Sequence, residues 1–147
     1  MEKEPIGKLI SFISRQNQKN VAKLLKPYDI GGGGQHSFLK AIYSHPGINQ
    51  DQLTTDLKFD KATTARSVKQ LEDAGYIMRK VDERDRRSFQ LFPTKKGMNF
   101  FPTLQHILES NNKKLVSCLT DEEEDQLIVL LKKLIFDGES KESTRNK

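Results

Sequence analysis

Cysteine is nearly absent from this chain: Cys118 is the only one, which excludes an internal disulfide and a cysteine-based metal cluster and fits a reducing compartment. Long apolar runs are missing as well. The longest, Leu127 to Leu131, falls far short of the roughly 20 residues that a bilayer-spanning helix needs. Glu2, Glu4 and Lys8 interrupt the stretch where a secretory signal would place an unbroken apolar core, so a cytoplasmic protein with no membrane partner is expected. His36, His45 and His106 share no metal-ligand spacing, and no Ser/His/Asp grouping, paired-carboxylate signature or dinucleotide loop is present. The reading is therefore of a protein that is not an enzyme and takes no metal or cofactor. The four consecutive glycines Gly31 to Gly34 suggest a phosphate loop, but the Gly-Lys-Ser/Thr ending is lacking and no strand precedes them. They read instead as a mobile joint, because glycine has the most backbone freedom to lose on ordering.

Apolar residues make up only 35% of the 147-residue chain and charged residues 31%. That length suits one domain. If such a polar chain forms long helices, it must be elongated or share its core with a second copy. Lys and Arg outnumber Asp and Glu by 25 to 20, a net charge of +5 that favours polyanionic partners. A solvated surface would explain the net charge equally well. The local distribution decides: between Arg79 and Lys96 seven Lys/Arg stand against three Asp/Glu.

Ile6, Leu9, Ile10, Ile13, Val21 and Leu24 recur at helical spacing, predicting a long amphipathic helix from about Pro5 to Leu25. A second helix is predicted from Gln35 through Tyr43, ending at His45-Pro46-Gly47. Asn49 with Gln52 forms a capping box that starts a third, and a fourth runs from Asp60 to Ala74, stopped by Gly75. Thr64, Val68 and Leu71 give that fourth helix its packing face, leaving Lys61, Thr63, Arg66 and Lys69 free. Two strands, Tyr76 to Val81 and Ser88 to Phe92, flank a charged tip from Asp82 to Arg87. A helical stripe from about Met98 to Leu119 follows. Thr120 and Glu123 then cap a last helix that Gly138 is expected to end, leaving 139–147 as a disordered tail.

The residues Asp60-Lys61-Ala62-Thr63-Thr64-Ala65-Arg66, Leu71-Glu72-Asp73-Ala74-Gly75-Tyr76-Ile77, Asp82-Glu83-Arg84-Asp85-Arg86-Arg87 and Thr94-Lys95-Lys96-Gly97 closely resemble the MarR family of bacterial transcription regulators. The Asp-Arg-Arg tip at its distance before Thr-Lys-Lys-Gly is the most specific part. The resemblance implies a mainly α protein with a small β-wing: a winged helix-turn-helix at 31–97, flanked by dimerisation helices at 1–30 and 98–138. It further implies a homodimer that binds an inverted-repeat operator in duplex DNA, acts as a repressor and is released by a small aromatic effector. The alternatives are an activator of the same fold and a winged-helix module that docks an acidic protein.

Arginine suits bidentate contact to guanine, and Ala62 or a threonine methyl can touch a thymine methyl. By resemblance, Ala62, Thr63 and Arg66 carry base contacts, with Lys61 beside them. Arg87 matches the family arginine that enters the minor groove and Asp85 the acid that braces the tip. Lys80, Arg84 and Arg86 would add phosphate contacts. Gln50 and Gln52 are equally phosphate contacts or plain surface residues. Arg66 could instead pair with the wing, and Asp85 with Arg87 could be only a surface ion pair of little worth. Phe12, Phe38, Tyr43 and Phe101 could line an effector space, although aromatics at helical spacing are more often core. Two departures from the family pattern stand out: the glycine run at Gly31 to Gly34, and Pro93, where leucine is usual. Cys118 falls on an apolar stripe and is expected to be a small buried packing residue.

Overall fold

The computed structural model describes residues 3–145, with side chains as far as residue 137. Helix α1 spans Ile6–Leu25 and is followed by a single 3-10 turn, Lys26–Tyr28. Helices α2 (Gln35–Ser44), α3 (Gln50–Leu57) and α4 (Lys61–Asp73) lead into strands β1 (Ile77–Val81) and β2 (Phe89–Pro93). Helices α5 (Lys95–Leu115) and α6 (Asp121–Arg145) complete the chain. The fold is mainly helical with one antiparallel pair, in the register Ile77↔Pro93, Arg79↔Leu91 and Val81↔Phe89.

The helix starts follow from their caps. Asn49 Oδ1 accepts from Gln52 N at 2.8 Å while Gln52 Oε1 accepts from Asn49 N at 3.0 Å, which satisfies two otherwise unpaired donors at the start of α3. Thr120 and Glu123 do the same for α6 at 3.1 and 2.9 Å. Gly75, at φ +87°, turns the chain out of α4. The last glycine of the run is fixed in place, while Gly31, Gly32 and Gly33 are exposed: Gly34 is the N-cap of α2, is buried, and lies so close to Phe59 that a side chain there would meet the ring at 3.0 Å.

The chain divides into two compact units, one ending at Glu109 and one beginning at Ser110, so the division falls inside α5. The first unit holds the core: Leu25, Ile30, Phe38, Leu39, Ile42, Leu53, Val68, Leu71, Ile77, Leu91 and Leu104 are all essentially inaccessible. Backbone bonds Gly47 N to Leu91 O (2.8 Å) and Leu91 N to Ile48 O (2.9 Å) join the α2–α3 connection to the far edge of β2. Pro93 is absorbed without loss of register, since Thr94 N bonds Tyr76 O just beyond it at 3.0 Å.

Three boundaries differ from the sequence reading by more than one residue. Helix α5 starts at Lys95, because Thr94 Oγ1 accepts from Gly97 N at 3.1 Å and so acts as its cap. It stops at Leu115, and Ser117 and Leu119 make tight backward turns to Lys114 and Val116. The apolar stripe loses its phase there, and Cys118 is exposed in the turn, not buried. Helix α6 runs through Gly138 to Arg145, so the segment expected to be disordered from Glu139 is helical that far; residues 146–147 lie outside the described residues. A single helical glycine costs about 1 kcal/mol against alanine, too little to end a helix alone.

Tyr43 ties α2 to the start of α5. Its hydroxyl donates to the Gly97 carbonyl, and burial pushes its pKa up to about 12, so it remains a donor at ordinary pH. Tyr43→Phe keeps the edge-on packing against Phe101 (ring centroids 4.9 Å apart) and removes only the hydroxyl. The expected loss is about 1 kcal/mol of stability, read from the denaturation midpoint at unchanged slope; an unchanged midpoint would mean that the bond contributes nothing.

Candidate nucleic-acid interface

Helix α4 is anchored by its buried face, Thr64, Ser67, Val68 and Leu71, and crosses α3 through a hydrogen bond between the hydroxyls of Thr54 and Thr64 at 2.9 Å. Its start is fixed by Asp60, which accepts from Thr63 N at 2.6 Å; that bond, with help from the Arg66 charge, holds the Asp60 carboxyl below its usual pKa. An ionised cap suits the positive end of the helix dipole. Lys61, Ala62 and Arg66 are exposed on this first part of α4, and Thr63 is half-buried beside them. Arg66 does not pair with the wing: its Nη2 reaches Thr63 Oγ1 at a long 3.4 Å, which leaves the guanidinium lightly held.

The wing tip is shaped by its two aspartates. Asp82 N bonds Ser88 O at 3.1 Å and Ser88 N bonds Asp85 O at 2.9 Å, closing the loop. Asp82 Oδ1 accepts from Arg84 N (2.9 Å), and Asp85 Oδ1 accepts from Arg87 N (3.1 Å). Asp85 therefore braces the backbone of the tip, and Arg84, Arg86 and Arg87 are exposed. Lys80 is exposed on the other face of β1, its Nζ 5.1 Å from the Phe92 ring centre. Of the two glutamines, Gln50 is half-buried, and Gln52 has its amide oxygen committed to the cap, keeping only its NH2 group free to donate.

The aromatic set does not assemble. Tyr43 and Phe101 touch, but Phe12 stands 62% exposed on α1, and Phe38 is fully buried against Phe59 with ring centroids 5.0 Å apart. Phe38 is core because it packs on Phe59 of the α3–α4 connection and is fully inaccessible. An open groove of about 400 Å³ does exist, lined by Lys26, Asp29, Ile30, Gly31, Gln35, Gln70 and Asp73, and it includes none of the four aromatics. Among the described residues no cluster of His, Cys, Asp and Glu is arranged to hold a metal ion.

The long-range polar ties were not legible in the sequence. Besides Tyr43 to Gly97, the Tyr76 hydroxyl donates to the Tyr28 carbonyl, and Thr94 Oγ1 donates to Gly75 O. Lys96 Nζ donates to Ala74 O at 2.6 Å while lying 4.6 Å from the Tyr76 ring centre. Three of these four ties involve the Thr-Lys-Lys-Gly run, whose every member but Lys95 makes one, but the run itself does not name the partners.

A helix-turn-helix whose second helix is followed by a basic antiparallel hairpin defines a winged-helix DNA-binding protein. The MarR family model matches residues 34–89, which run from the N-cap of α2 to the start of β2. The chain is similar to a MarR transcriptional regulator from Methanosarcina mazei Go1, at 39% identity over 94% of this chain and 99% of that one, with a TM-score of 0.87. It is 35% identical to the HTH-type transcriptional regulator BilQ of Clostridium symbiosum, over 72% of each chain. It is 38% identical to the HTH-type transcriptional regulator YybA of Bacillus subtilis, over 67% of this chain and 65% of that one, just under two-thirds of that relative's length. The chain belongs to the MarR family, whose members are DNA-binding transcriptional regulators and not enzymes. Among the described residues no helix is long and apolar enough to cross a membrane.

Proposed function

We propose that this regulator is a homodimeric repressor, acting in the cytoplasm on an inverted-repeat operator. In this reading α4 lies in the major groove, with Lys61, Ala62, Thr63 and Arg66 toward base edges. Arg87 enters the minor groove, and Lys80, Arg84 and Arg86 meet phosphates around a tip braced by Asp85. The observation that carries the proposal is the presence on one core of two exposed elements that carry cations, the start of α4 with Lys61 and Arg66 and the hairpin with Lys80, Arg84, Arg86 and Arg87.

The dimer rests on uncovered apolar surface. In the first unit Ile6, Leu9, Ile10 and Ile13 of α1 are exposed; in the second, Leu127, Leu130, Leu131 and Leu134 of α6 are exposed. Each such side chain contributes about 1.5–3 kcal/mol when fully buried, so covering them with a second copy is strongly favoured. Repression in preference to activation, and release by a small aromatic effector, stay in the reading through the family resemblance, with Phe38 removed from the effector set.

Genomic fragments selected by the purified protein should yield an inverted repeat whose half-sites are spaced for recognition helices roughly 34–36 Å apart. Sedimentation should show a dimer at micromolar concentration. A monomer there would sink the dimer, and salt-insensitive or absent binding to duplex fragments would favour the protein-docking module.

A further inference from the structure

Arg79 lies in the middle of β1, and its Nε is 2.9 Å from Glu72 Oε2 on α4. Its guanidinium carbon is 5.5 Å from the Phe89 ring centre on β2. One side chain thus touches the recognition helix and both strands of the wing. The Arg79 and Glu72 side chains are only 28% and 32% exposed, which shields the pair from water more than an ordinary surface bridge. Arg79 Nε makes no well-aligned hydrogen bond, so charge and stacking hold the contact.

Its position along the wing gives the contact a purpose. Thr94 and Lys96 fasten the base of the hairpin to the end of α4 through Gly75 O and Ala74 O. Arg79 is further out. Beyond it support fades, with Val81 54% and Phe89 39% exposed, and the tip follows. We infer that Glu72 and Arg79, on a floor of Phe89, are positioning residues that hold the wing tip at a set angle to the recognition helix, so that both engage one DNA site together. The inference rests on the reading of the wing as a DNA contact.

Glu72 allows a sharp test. It is an acid near a surface meant for a polyanion, so electrostatics alone says that Glu72→Gln should tighten DNA binding. Positioning predicts the reverse. Wild type, Glu72→Gln, Arg87→Ala and the double variant would be titrated on the selected operator. Glu72→Gln should weaken binding about five- to tenfold, within the range of couplings between contacting groups. Arg87→Ala should be costly in the wild-type background and nearly free in the Glu72→Gln background, because a tip already out of place has nothing left to lose. Should Glu72→Gln fail to fold, Phe89→Leu, which removes the ring under the guanidinium at a half-exposed position, takes its place in the same cycle. Equal or tighter binding by Glu72→Gln, or the same factor for Arg87→Ala in both backgrounds, would overturn the inference and leave the wing as a DNA contact. No cost for Arg87→Ala in the wild type would overturn the DNA-contact reading, and the inference with it.

Discussion

Arg66→Ala is expected to weaken binding to the selected operator by about 1–3 kcal/mol per recognition helix and to change binding to scrambled duplex much less. The Arg66 guanidinium is exposed, and its hydrogen bond to Thr63 is a long 3.4 Å, so it can turn to a guanine edge without breaking a strong bond first. Arg87→Ala should behave differently. In the minor groove A·T and T·A present nearly the same groups, and phosphates are close, so losing this arginine should weaken both kinds of DNA. Salt supplies a second axis. Each lost phosphate neutralisation flattens the slope of log affinity against log salt by about 0.9, so Arg84→Ala and Arg86→Ala should each show that change, twice over in a dimer. Titrations on both duplexes at several salt concentrations separate the cases. If none of the wing variants alters affinity or slope, the wing does not touch DNA.

Gly97→Ala should be strongly destabilising, although helix propensity alone points the other way. Gly97 lies in the first turn of α5, where alanine would ordinarily gain about 1 kcal/mol over glycine. A Cβ there would sit 2.2 Å from the Tyr76 carbonyl oxygen, a backbone atom that already accepts from Thr94 N at 3.0 Å and cannot swing aside. Overpacking costs typically about 1–3 kcal/mol, and more where backbone must move, so the clash outweighs the propensity. A net loss of about 2 kcal/mol or more is expected, lowering the melting temperature by roughly 4–8 °C at this size. Gly7→Ala is the control: it is helical and has nothing within 4 Å of the added carbon, so it should be neutral or mildly stabilising. Equal melting of the two variants would refute the packing argument.

Local chemistry made much of this molecule legible in advance. Asn49 with Gln52 and Thr120 with Glu123 announced two helix starts because their cap bonds span only three residues. The apolar phase of Thr64, Val68 and Leu71 marked the buried face of α4, and so the free face opposite it. What escaped depended on distance in the chain. Apolar spacing names a stripe without saying what covers it, so Phe38 could be offered as a pocket wall and Cys118 as core. The Tyr43 to Gly97 bond joins residues 54 apart, and the Tyr76 to Tyr28 bond residues 48 apart. Neither has a local signal. The Glu72–Arg79 pair escaped for another reason: a count of charges along the wing includes Arg79 without saying which way it points, and it points to Glu72 on α4.

The bonds from Gly47 and Ile48 to Leu91 bear on how the hairpin can be recognised at all. A bare strand edge is a template that invites another strand, whether from a peptide ligand or from an aggregating neighbour. Here the outer edge of β2 is plugged at its midpoint by the protein's own chain. Strand addition along that side would first have to pull the α2–α3 connection away. With main-chain recognition closed there, a ligand approaching from that side meets the hairpin through its side chains, which at the far end include three exposed arginines, Arg84, Arg86 and Arg87.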